Sequence, residues 1–180
     1  MSDKIKIMEY DPNWIKAYEL EKSCISSLLG EDAIAIEHIG STSIPHQEAK
    51  PIVDIFIGVS PFKGLAFYKS VFDSGSYDYI QTGMSRRYLF SKCTNGTWTH
   101  NIHVLPYNDE FYTRNEFLFR NYLREHPDLV QEYGEIKKKA GKSHGKTMEE
   151  YTRSKTDFIQ KVVDAARTEK GLPLQNVWED

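Results

Sequence analysis

One stretch limits the possible folds of this chain more than any other: IAIEHIGSTSIPHQEAKPIVDIFI, from Ile34 to Ile57. Two nearly continuous apolar runs, 33–39 and 51–59, flank a Gly-Ser-Thr-Ser turn. Runs this short and this apolar suit interior strands covered on both faces. The second run carries a single acid, Asp54, among apolar neighbours from Ile52 to Ile57. Removing an unpaired charge from water is costly, so a carboxylate kept there needs a metal, a cation or several donors beside it, or access to water at a strand end. Function is expected to gather around it.

Composition sets the outer bounds. A chain of 180 residues with 39% hydrophobic and 13% aromatic content suits a single domain with a sizeable core, expected over 1–168, with 169–180 as a loosely held tail. The net charge of −3 provides no basic field, so no nucleic-acid partner is expected. The first ten residues lack a secretory core, and no apolar run approaches the roughly 18–20 residues that span a bilayer. A cytoplasmic protein without membrane contact is the expectation. Cys24 and Cys93 have neither metal-ligand nor redox spacing and read as reduced thiols.

Periodicity gives the elements in order. Ile5 and Ile7 alternate with Lys4 and Lys6 in a short edge strand or lead-in. Asp11-Pro12 opens a helix over 12–29, with Trp14, Tyr18, Ile25, Leu28 and Leu29 near one face and Gly30 closing it. After the two apolar strands, Ser60-Pro61 offers a cap and first turn for a helix to Phe72, with Phe62, Leu65, Ala66 and Val71 as candidates for burial. Strands are expected at 77–81, 87–91 and 98–105; the last two are joined by Asn95-Gly96, a pair suited to the positive φ angles of a type I′ turn. Helices are expected at 109–125, 127–140 and 147–168, divided by His126-Pro127 and by 141–145. The last carries Tyr151, Phe158, Val162 and Ala165 at helical spacing. The sum is an α+β domain with a mixed β-sheet of about five strands packed by helices and a helical C-terminal third.

Gly40, Ser41, Thr42 and Ser43 would make either an ordinary Ser/Thr-capped turn or a small phosphate cradle, since Gly permits close backbone approach and the turn offers amides and hydroxyls. Twelve residues separate Ser41 from Asp54, and Lys50 lies just before the second strand. This arrangement resembles the nucleotidyltransferase superfamily pattern, a hydrophobic-Gly-Ser turn leading to a strand that reads acid-hydrophobic-acid-hydrophobic. Alternate strand positions face one way, so two such acids hold divalent metal against a triphosphate. Here Phe56 occupies the second acid position. The resemblance places the third acid on a later strand, where this chain has Ile102-His103-Val104.

Three roles are open to His103: a ligand, with Asp54, for a divalent metal; a general base; or a neutral core histidine bonded to Asp54 or to backbone. Glu37 and His38 lie on opposite faces of the first strand, and either joins Asp54 if the strands are neighbours. Asn101 shares the His103 face, whereas His100 points away. Lys50, Arg86, Arg87, Arg120 and Arg124 are candidate phosphate contacts, and Lys155 falls near the apolar stripe of the last helix. Lys137-Lys138-Lys139 reads as a solvated helix end.

YDPNW at 10–14, EHIGSTSIP at 37–45, AKPIVDI at 49–55, NIHV at 101–104, FRNYLR at 119–124 and YTRSK at 151–155 together resemble the GrpB (UPF0157-like) family over roughly residues 8–166. The resemblance implies the nucleotidyltransferase fold, and a similar domain occurs fused to dephospho-CoA kinase in some bacteria. The usual pattern has Gly where this chain has His46 and His where it has Asn101. Two functional expectations arise. One is metal-assisted transfer of a nucleotidyl group to a small acceptor, with Asp54 and His103 as catalytic and metal-holding residues and Gly40, Ser41, Thr42, Ser43 and Lys50 binding substrate. The other is a nucleotide or CoA-precursor binding module without the two-metal centre. A third possibility on the same residues is a transition-metal enzyme of another class.

Overall fold

The structure, a computed structural model, describes residues 6–73, 75–143 and 155–177. The chain divides into two compact units. One comprises Pro12–Ser43 and Ile52–Tyr112; the other comprises Met1–Asp11, Ile44–Pro51 and Thr113–Asp180.

The first unit is a five-stranded sheet with two helices. Its elements are helix α1 (Asn13–Leu29), strand β1 (Ala33–Ile39), strand β2 (Val53–Val59), helix α2 (Leu65–Phe72), strand β3 (Tyr77–Ile80), strand β4 (Tyr88–Thr94) and strand β5 (Thr97–Pro106). Strand order is β1-β2-β5-β4-β3, with β2 parallel to β5 and the other pairs antiparallel. The sheet is therefore mixed, as expected. Among the described residues β1 pairs with β2 alone, so it is an edge strand rather than an interior one. The hairpin at Asn95-Gly96 has φ of 52° and 76°, the positive pair that a type I′ turn needs.

Helix α1 ends at Gly30, whose φ of 57° is open to glycine at little cost. Its buried face is Trp14, Tyr18, Glu21, Ile25 and Leu29, so an acid occupies one position of the apolar stripe. Helix α2 starts four residues later than Ser60-Pro61 implies. Gly64, extended at φ −71° and ψ 160°, precedes its first turn, and the Lys63 amide donates to the Tyr68 hydroxyl. The shift moves burial onto Tyr68 and Phe72, leaving Ala66 exposed and Phe62, Leu65 and Val71 half-buried.

The second unit is helical. It contains α3 (Asn115–Glu125), α4 (Pro127–Ser143) and α5 (Thr156–Glu169), and a bridge pairs Met8 with Ala49. Ile44, Leu123, Val130, Tyr133, Phe158 and Val162 form its core. His126 leaves helical geometry before Pro127, because the proline ring disfavours the α conformation one residue earlier. The expected start of the last helix at 147, with Tyr151, lies outside the described residues. Within α5 the buried positions are Phe158, Val162, Val163, Ala166 and Arg167.

One expectation fails in this unit. Lys137 is 1% exposed, donates to the Glu48 carbonyl at 3.0 Å and sits 4.4 Å from the Tyr133 ring centre, while α4 continues past it. A lysine survives such burial because its ammonium is bonded and faces an aromatic ring. After α5 three hydrogen bonds involve residues 173–177. Arg167 donates to the Pro173 carbonyl, Gln160 to the Gln175 carbonyl at 2.8 Å, and the Val177 amide to Gln160.

Candidate functional site

Because side chains alternate along a strand, the strand register sorts the sheet residues onto two faces. Ile39 lies opposite Asp54, Asp54 opposite Asn101, and Asn101 opposite Ser91. The neighbouring row on the same face is Glu37, Phe56, His103 and Leu89. One face thus gathers Glu37, Asp54, Asn101 and His103. His38, His100 and Lys92 belong to the other.

Asp54 is half-buried, and Asn101 Nδ2 donates to its Oδ1 at 3.1 Å. The Asn101 amide is oriented in turn by Trp98, whose indole N–H donates to Asn101 Oδ1 at 3.2 Å. Gly40 supports the carboxylate from the turn. Its φ is 72°, and a Cβ placed there would lie 2.5 Å from Asp54 Oδ2, so both the backbone angle and the close approach require glycine. The Gly-Ser turn and the buried acid are therefore one construction.

The hydroxyls of that turn are less available than the motif implies. Thr42, 2% exposed, bonds His38 Nε2 at 2.8 Å. The Ser43 hydroxyl donates to the Gly40 carbonyl, and the Ser43 amide donates to the same oxygen at 3.1 Å. Ser41 is the one hydroxyl of the three left half-buried. His38 stacks on Tyr18 with ring centres 4.9 Å apart, so this histidine braces the turn.

His103 does not act alone. Its Nδ1 accepts from Arg87 Nε at 3.1 Å, which assigns the ring proton of the neutral imidazole to Nε2. Removal from water, helped by the positive Arg87, holds His103 well below the ordinary imidazole value. The same Arg87 places its guanidinium carbon 4.7 Å from the centre of the Phe56 ring, and Phe56 itself is fully buried beside His103 with ring centres 5.1 Å apart. Glu37 accepts from the Tyr112 hydroxyl at 3.0 Å.

These donors do not fit a divalent metal pair. Magnesium calls for several oxygen ligands in near-octahedral array. Phe56 brings none, Asn101 presents N–H to Asp54, and the lone pair of His103 is taken by Arg87. Among the described residues no three His, Cys, Asp or Glu side chains come together as a metal-holding group.

The model of the family described as GrpB protein matches residues 4–165. The chain belongs to the GrpB family. It is 32% identical over 170 residues to UPF0157 protein YqkA of Bacillus subtilis, covering 93% of this chain and 49% of the relative, so it spans about half the length of that protein. Among solved structures it is similar to conserved protein GrpB from Enterococcus faecalis, with a TM-score of 0.83 and 30% identity over 92% of this chain and 99% of that one. Cid1 in complex with its short product ApU is more distant, with a TM-score of 0.49 and 14% identity over 73% of this chain and 42% of that one.

Of the residues singled out in the sequence, the structure brings together Gly40, Asp54, Asn101 and His103. Lys50 is half-buried and belongs to the helical unit. Arg120 is buried and bonds Asn121 at 2.9 Å. No helix among the described residues is long and apolar enough to cross a membrane. Sequence reasoning missed the buried Glu21 and the pairing of Glu37 with Tyr112. The signal for Glu21 was available, because it lies three residues after Tyr18 and four before Ile25.

Proposed function

We propose that this chain is a binding module for a phosphate-bearing small molecule, a nucleotide or a precursor of coenzyme A, and not a metal-dependent nucleotidyltransferase. The observation that carries this reading is the row Glu37, Phe56, His103, next to Asp54. An aromatic ring stands between its one acid and its histidine, and the acceptor nitrogen of that histidine is engaged by Arg87. A group whose only lone pair accepts from a guanidinium is a poor general base and a poor metal ligand.

The rest of the site suits recognition. Asp54 is fixed by Asn101 and offers acceptor capacity for a ligand hydroxyl or amine. Gly40 keeps the backbone close to the carboxylate, and the half-buried Ser41 adds a polar edge. The form of the motif supports a phosphorylated ligand, since a Gly-Ser turn after a strand is a compact way to receive one.

Thermal unfolding with ATP, other nucleoside triphosphates, dephospho-CoA and phosphopantetheine, each with magnesium or with EDTA, tests the reading. Binding to the folded state alone stabilises by about 2.7 kcal/mol at a hundredfold excess over Kd. The expected result is a midpoint that rises with the concentration of at least one of these compounds and no release of pyrophosphate. No shift with any of them would refute the reading. Pyrophosphate release that disappears in Asp54→Asn would return the chain to the transferases.

A further inference from the structure

We propose that His38 is the positioning residue of the ligand turn: stacked on Tyr18, it holds residues 40–43 in the shape that receives the phosphate through its hydrogen bond to Thr42. The inference rests on the binding reading above and names what sets the geometry of that same turn.

Three contacts carry the argument. His38 Nε2 lies 2.8 Å from the Thr42 hydroxyl oxygen, and the two residues are 6% and 2% exposed. The His38 ring stacks on Tyr18 with planes 18° apart, and the Tyr18 hydroxyl donates to the Ile36 carbonyl at 2.7 Å. Tyr18 thereby grips β1 by its hydroxyl and steadies the imidazole two residues further on with its ring. The brace works from the far face of the sheet, because His38 alternates along the strand with Glu37, which shares its face with Asp54.

What the bond fixes is the chain between its ends. There the backbone turns through Gly40 at φ 72°, and the Gly40 carbonyl then accepts from the Ser43 amide at 3.1 Å. Glycine by itself would leave such a turn several shapes of similar energy. A cradle of backbone amides works in one of them, because an N–H donor loses its bond once it swings far from the line to the acceptor. The bond between His38 and Thr42 selects that shape before the ligand arrives, and ordering a site in advance raises affinity by removing the cost of ordering it on binding. The same shape sets the gap beside the carboxylate, since a Cβ at Gly40 would lie 2.5 Å from Asp54 Oδ2. Two apolar side chains would fill the space of this buried pair as well; what a histidine and a threonine add is a link of fixed length and direction.

Isothermal titration with the nucleoside triphosphates, dephospho-CoA and phosphopantetheine provides the test, on wild type, His38→Phe, Thr42→Val and the double variant, with urea unfolding of each. Phenylalanine keeps a flat ring against Tyr18, and valine keeps the branched shape of threonine. Affinity for the compound that wild type binds should fall about tenfold in either single variant, the scale of one buried hydrogen bond, and no further in the double. In urea the second substitution should cost less in the presence of the first, because the pair strands neither end of the bond. Thr42→Ser, which returns the hydroxyl, should recover most of the affinity lost in Thr42→Val. If a single variant does not fold, the double variant and Thr42→Ser decide. Undiminished affinity in the folded variants, whatever their loss of stability, would make the bond structural only and overturn this inference while leaving the binding reading standing; so would Thr42→Ser binding as poorly as Thr42→Val. Absence of wild-type binding to all of these compounds would overturn both.

Discussion

The two faces of the one sheet hold their polar groups differently. On the face with Ile36, His38, His100 and Lys92, helices α1 and α2 supply the cover: the Tyr18 hydroxyl donates to the Ile36 carbonyl at 2.7 Å, and Phe72 packs on Phe90 with ring centres 4.8 Å apart. Charge is closed off there. Glu21, 2% exposed, receives Lys92 at 2.6 Å and also accepts from the Tyr77 hydroxyl, whose pKa is pushed far up by burial and by that acid. On the other face the carboxylate of Asp54 is fixed by a neutral amide, and the guanidinium of Arg87 is fixed by a ring and a neutral imidazole. Glu21 is closed in by the fold, whereas Asp54 is half-buried beside a glycine turn. The difference points to the second face as the working one.

Substitutions can break this contrast, beginning with the largest expected effect. Phe90→Ala, which empties a 2%-exposed position on the closed face, should cost about 3–5 kcal/mol in denaturant unfolding. Glu21→Gln strands Lys92 and should cost roughly 3 kcal/mol, the scale for breaking a buried ion pair, whereas Asp54→Asn should stay within about 1 kcal/mol. Equal losses for the two would erase the distinction between the faces. Gly40→Ala should cost about 1–3 kcal/mol through its left-handed φ and should push the Asp54 carboxylate from its place, so the ligand-induced thermal shift is expected to vanish with it.

The smallest effect is on pH dependence. His100 is lowered by burial, and His103 by burial and Arg87, so in the folded chain both stay neutral where the unfolded chain takes up protons. Stability is therefore unaffected by either at high pH and falls as pH drops below about 6.5, by at most about 1.4 kcal/mol per pH unit for each histidine. Melting curves of His100→Gln and His103→Gln should each flatten part of that slope. A slope unchanged in both would show that neither ring is held neutral.

Part of the site was legible in the sequence because strand alternation fixes faces: Asn101 and His103 fall on one face of their strand and His100 on the other by counting alone, while joining them to Asp54 takes the β2–β5 register. Alternation does not say which strands are neighbours, so β1 passed for an interior strand although it has one partner. Arg87 could be suspected as a cation, but its placement over Phe56 depends on the β4–β5 register. Burial of Lys137 depends on a backbone carbonyl far away in sequence, and no local pattern encodes that. His46 is a different case. Its φ of 65° lies where glycine is at ease, which explains physically why the family pattern has glycine there.

The most direct test of the central claim is a crystal structure grown with ATP and manganese, with anomalous scattering recorded for the metal. The account predicts phosphate density beside the Gly40–Ser43 turn and no manganese peak on Asp54. A manganese ion coordinated by Asp54 and His103, with the Arg87 guanidinium displaced from Phe56, would contradict it.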